Sequence, residues 1–77
     1  MDLVKTTNGQ NYYRVAIILE RINELERAAE VYAKAHSFNH RISSLYRQGV
    51  MYLLLNKKEE ASAIFDQVIK VKFKLLN

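Results

Sequence analysis

Leu45-Tyr46-Arg47-Gln48-Gly49-Val50-Met51-Tyr52, then Asn56-Lys57-Lys58-Glu59, then Ala61-Ser62-Ala63-Ile64-Phe65 and Val68, is the stretch that decides the fold, because the chain has already stated it once. Its marked positions have counterparts 33 residues earlier. Tyr12, Val15, Ala16 and Leu19 precede Leu45, Gln48, Gly49 and Tyr52; Asn23 and Glu26 precede Asn56 and Glu59; Ala28, Val31, Tyr32 and Ala35 precede Ala61, Ile64, Phe65 and Val68. Self-similarity at a fixed period of this size marks stacked repeats, in which each unit buries its apolar face against a neighbour. Within each copy the apolar residues recur at three- and four-residue intervals, the stripe of an amphipathic helix. The fold expected is all-α: two antiparallel helix-turn-helix hairpins stacked as a short solenoid, with helices over about 10–22, 24–37, 40–55 and 57–74. Residues 1–8, which lack periodicity, are expected to be frayed; the repeats then occupy 9–41 and 42–77, the second with an extended final helix.

The turn inside each hairpin is specified separately from the apolar pattern. Asn23-Glu24-Leu25-Glu26 and Asn56-Lys57-Lys58-Glu59 both read as caps in which the asparagine accepts free amide hydrogens of the next helix and the glutamate returns a bond. Asparagine also tolerates the left-handed conformation that often ends a helix. Ala28 and Ala61 are small where the helices of a hairpin cross closely. Phe38-Asn39-His40 is expected to connect the hairpins.

Leu45-x-x-Gln48-Gly49-x-x-Tyr52 with Ala61-x-x-x-Phe65 resembles the tetratricopeptide repeat, whose pattern is W-x-x-L-G-x-x-Y followed by A-x-x-x-F. Tyr12-x-x-Val15-Ala16-x-x-Leu19 with Ala28-x-x-x-Tyr32 is a looser copy. Both copies lack the proline usual near the repeat end, and Gln48 stands where a leucine is usual. The resemblance implies that the first helix of each hairpin lines a concave surface holding an extended or helical segment of a partner. Carried onto this chain, the lining is Gln10, Tyr13, Arg14, Ile17 and Arg21 from the first repeat and Ser43, Tyr46, Arg47, Val50, Leu53 and Leu54 from the second. Tyr13 and Tyr46, Arg14 and Arg47, and Ile17 and Val50 are each one period apart. An aromatic and aliphatic lining with an arginine rim suits a helix or an apolar peptide.

Composition excludes several other functions. The 77 residues suffice for one small domain, and 49% hydrophobic with 26% charged residues is ordinary globular usage. Proline and cysteine are absent and glycine occurs twice, which points to helices with brief connections and removes disulfides as a staple. The apolar run Val50 to Leu55 is far shorter than the roughly 20 residues that span a bilayer, and no secretory signal is apparent, so a cytoplasmic protein is expected. Catalysis is not expected: Glu20, Glu24, Glu30, Glu59 and Glu60 fall on wet faces or caps, and no nucleophile, base and orienter can be assembled. His36 and His40 share a helical spacing but lack further ligands, so neither a metal nor a cofactor is expected. The net charge of +4 makes a basic nucleic-acid-binding accessory protein the alternative. It is disfavoured because Arg14, Arg21, Arg41, Arg47, Lys57 and Lys58 are interspersed with acidic residues rather than gathered into a stripe.

Two stretches exceed what two hairpins can bury. Val50 to Leu55 is apolar all round, and Ile69, Val71, Phe73, Leu75 and Leu76 extend past the second core, with Lys70, Lys72 and Lys74 able to snorkel around them. Repeat arrays need about three units for stability. The expectation is therefore a homo- or hetero-oligomer, with Ile69, Phe73, Leu75 and Leu76 as the self-association surface of a symmetric dimer. The function expected is a non-enzymatic protein-interaction module: an adaptor or scaffold, or a small chaperone that shields an apolar helix, as the resemblance to short repeat proteins of bacterial secretion implies.

Overall fold

A computed structural model describes residues 11–39 and 42–76, the side chains at 39, 75 and 76 excepted. The segment 1–8, Gln10, His40, Arg41 and the side chains of Leu75 and Leu76 lie outside the described residues. Those described form four helices, α1 (Tyr12–Arg21), α2 (Leu25–Asn39), α3 (Ile42–Leu54) and α4 (Lys58–Leu76). Each packs on the next, α1 on α2, α2 on α3 and α3 on α4, which is the expected pair of stacked hairpins. Two helices run about two residues past expectation, α4 to Leu76 and α2 to Asn39. Phe38 and Asn39 belong to α2 rather than to a connector, since no glycine or proline stops the helix at Ser37.

The intra-hairpin turns are built differently from the expected capping box. Asn23 and Asn56 are left-handed, with φ of 66° and 63°. The Asn23 N–H donates to the Glu20 carbonyl at 3.0 Å and the Glu24 N–H to the Leu19 carbonyl at 2.8 Å. One period on, the Asn56 N–H donates to Leu53 at 3.0 Å and the Lys57 N–H to Tyr52 at 2.8 Å. This crossed pair of bonds closes a Schellman motif, so each asparagine terminates the preceding helix instead of capping the following one. The N-caps are Glu24 and Lys57, whose carbonyls accept the first bonds of α2 and α4, from Ala28 and Ala61. With no glycine in either turn, asparagine is the side chain best suited to the positive φ that reverses the chain.

The core gathers Val15, Ala16 and Leu19 from α1, Ala28, Ala29, Val31 and Tyr32 from α2, and Met51 from α3. Helix α2 is thus covered from two sides. The second hairpin is thinner: Ala61 is the one described α4 side chain that is buried, while Ile64, Phe65 and Val68 are half-buried. Between α3 and α4 the approach is close. A Cβ on Gly49 would stand 2.7 Å from Cε1 of Phe65 and 3.1 Å from Cγ2 of Ile64. The first hairpin carries Ala16 at the same place, so it accommodates a methyl there that the second does not.

Two outcomes check this account in urea unfolding followed by circular dichroism. Asn56→Gly should hold or raise stability whereas Asn56→Ser, an equally good N-cap, should lose about 1 kcal/mol, the cost of a left-handed residue without asparagine's tolerance. Gly49→Leu should cost about 2 kcal/mol or more through overpacking against Phe65, outweighing the better helix propensity of leucine.

Candidate functional site

On α3, Ser43, Tyr46, Leu53 and Leu54 are exposed and Arg47 and Val50 half-buried. With about 100° of rotation per residue they form one stripe, opposite the buried Leu45, Gln48 and Gly49. The matching stripe on α1 has Tyr13, Ile17 and Glu20 half-buried, flanked by exposed Arg14 and Arg21. A bridge brings the two stripes onto one surface. The Arg47 guanidinium on α3 donates to Glu20 Oε1 on α1 at 3.4 Å.

Glu20 is held from beneath as well. The Tyr32 hydroxyl on α2 donates to the same Oε1 at 2.7 Å. Burial, then the hydrogen bond to Glu20 and its negative charge, push the Tyr32 phenol well above its ordinary 10.0, so it is a neutral donor. Burial alone would lower the Arg47 pKa, but the facing oxygens of Tyr13 and Tyr32 outweigh it and the net shift is upward. One carboxylate therefore ties three helices together under the face. The carboxylates read from the sequence as wet include this one, and the half-buried Glu20 corrects that reading.

The two lining tyrosines are braced in the same way in each repeat. Tyr13 meets Tyr32 edge-on, with ring centroids 5.7 Å apart and planes at 66°; one period later Tyr46 meets Phe65 at 5.7 Å and 47°. Contacts of this geometry stabilise by about 0.5–1.5 kcal/mol and restrict the rings. The repeat is not exact in chemistry. Leu53 stands where Glu20 does and Phe65 where Tyr32 does, so the α1 half of the face has a hydrogen-bonded polar floor and the α3 half an apolar one.

Ile17 and Val50 pack on the core as well as lining the face. Of the residues expected to self-associate, Ile69 and Phe73 are exposed on α4, away from the core. Two open hollows lie elsewhere, one of about 470 Å3 among Tyr12, Ala33, Lys34, Ser37 and Phe38 and one of about 380 Å3 at the turn Asn56 to Glu60. Among the described residues no three histidines, aspartates or glutamates group as metal ligands, and no helix is long and apolar enough to cross a membrane. His36 has a polar or ring neighbour of its own.

Glu20→Ala should destabilise by about 1–2 kcal/mol, because it leaves the buried Tyr32 hydroxyl without its acceptor. Arg47→Ala should cost under about 1 kcal/mol, since the half-exposed ion pair is screened by water. Paired unfolding curves of the two variants check that order.

Residues 43–71 match the family model described as Tetratricopeptide repeat. The match takes in α3 and most of α4, and the first hairpin repeats its architecture down to the bonds of the turn. No curated protein and no solved structure matches the chain.

Proposed function

We propose that this chain, a tetratricopeptide-like repeat protein, is a non-enzymatic adaptor or small chaperone that holds an apolar or helical segment of a partner protein across the α1/α3 face. Repeats of this family generally serve protein–protein interaction and are generally not catalytic. The observation carrying the reading is the Glu20–Arg47 bridge, which sets two stripes side by side and leaves Tyr46, Leu53 and Leu54 uncovered on that surface. Tyr46 and Tyr13, braced by Phe65 and Tyr32, give contact area with little further loss of rotamer freedom.

The unequal halves of the face define the partner's chemistry. Apolar side chains one helical turn apart fit over Tyr46, Val50, Leu53 and Leu54. Acidic side chains fit at the rim formed by Arg14 and Arg21, whose charges are exposed. Arg47 contributes mainly by fixing the floor through Glu20 and less as a free cation.

Selection from a displayed peptide library on the immobilised chain tests this. The binders should be amphipathic with acidic flanks. Tyr46→Ala or Leu53→Asp should weaken them at least about tenfold, equivalent to about 1.4 kcal/mol, while Phe38→Ala on α2 leaves them unchanged. Affinity that survives both face variants would reject the proposal. Affinity for single-stranded nucleic acid that collapses with salt would establish the basic accessory reading instead.

A further inference from the structure

Comparing each helix with its counterpart one repeat away exposes two incomplete surfaces. On α3, Met51 is 0% exposed because that side lies on α2, whereas its counterpart Ile18 on α1 is 48% exposed. Ile22 is 62% exposed where Leu55 is half-buried, and Asn11 is exposed where Ser44 is buried. Among the described residues, the leading side of α1 thus lacks what α2 gives α3. At the other end, Ala29, Tyr32 and Ala35 of α2 are buried, while Ser62 is exposed and Phe65 and Val68 half-buried on α4. Ser62, Phe65, Ile69 and Phe73 form one stripe on α4, with Ile69 at 51% and Phe73 at 61% exposure. Among the described residues, the trailing side of α4 lacks what α3 gives α2.

We propose that these two surfaces cover one another between copies: the trailing stripe of α4 in one chain packs antiparallel on the leading side of α1 in the next, with Ile18 and Ile22 over its Ser62–Phe65 end and Ile69 and Phe73 over the start of α1, reproducing the α2–α3 contact across a molecular boundary. The internal contact is the template, since the period of 33 places equivalent residues on both sides of the joint. A symmetric pairing of two α4 helices fits less well. It leaves Ile18 and Ile22 open and gathers Lys70, Lys72 and Lys74 of both copies, and opposing like charges are unfavourable. A head-to-tail contact uses two different patches, so association is open-ended unless its rotation closes a ring.

The joint differs from its template at several positions, Ile69 standing where His36 does and Ser62 where Ala29 does. Leu53, Phe65 and Arg14 stand where Glu20, Tyr32 and Arg47 form the internal clamp, so the joint depends on apolar burial without that ion pair, and salt, which also screens the repulsion between copies of net charge +4, does not weaken it.

Sedimentation velocity from micromolar to millimolar concentration tests this with the full chain. The average mass should climb with concentration without settling at two chains, and no less at high salt than at low. Ile18→Asp and Ile69→Asp alter half-exposed sites at the two ends, and each alone should stay monomeric. Their equimolar mixture, offering one intact head and one intact tail, should form a 1:1 dimer and stop there. Ile18→Gln and Ile69→Gln repeat the experiment with better helix formers should circular dichroism show either aspartate variant unfolded. A monomer at every concentration would overturn the proposal. So would a dimer that Ile18→Asp leaves intact, the mark of symmetric α4 pairing, or a mixture that fails to associate.

Discussion

The second helix of a two-helix hairpin offers apolar surface in two directions, and its own partner covers only one of them. Everything in this chain follows from how that surplus is met. Helix α2 is covered by α1 on one side and α3 on the other, which takes Tyr32 and Met51 out of water and fuses two hairpins into one core. Helix α4 has the same need without a fifth helix among the described residues. Its half-buried Ile64, Phe65 and Val68 mark the difference. At roughly 25 cal/mol for each Å2 of apolar surface removed from water, an uncovered helix face is a considerable forfeited stabilisation in a domain whose core supplies only about 3–5 kcal/mol.

Periodicity made the helices, their order and the hairpin stacking legible, because burial repeats with the residues that demand it. It could not tell which side of the turn each asparagine serves. Asparagine is favoured both as an N-cap and as a left-handed helix terminator, and only the sign of φ separates the two. A clue was present in composition: with no glycine in either turn, something else had to adopt the positive φ. Phe38-Asn39-His40 reads as a connector because an asparagine can end a helix or stand in a loop, and α2 runs on through Asn39.

The polar clamp escaped the sequence for the opposite reason. Arg47 and Tyr32 recur as Arg14 and Phe65, but Glu20, the carboxylate that joins them, has Leu53 as its period mate, so a reading that rewards what recurs passes over it. What does not repeat is where one copy departed from the other, and here it lies under the face proposed to hold a partner. Stability alone does not require a carboxylate there, since the second hairpin fills the same position with leucine. In the first hairpin it accepts from both Tyr32 and Arg47, while in the second Leu53 and Leu54 are exposed.

The lining face and the chain ends are coupled by geometry. If copies join through α4 and α1 as α2 joins α3, the α1/α3 face continues into the next molecule, and the apolar half of one copy borders Arg14 of its neighbour. A partner segment long enough to cross that boundary touches both copies and binds the joined form more tightly than the single one. By linkage, joining must then strengthen partner binding by the same factor. A short segment confined to Tyr46, Val50, Leu53 and Leu54 gains nothing from the neighbour and leaves the association unchanged. On the two proposals together, segment length, rather than composition, would decide whether a partner merely occupies the face or also draws copies of the chain together.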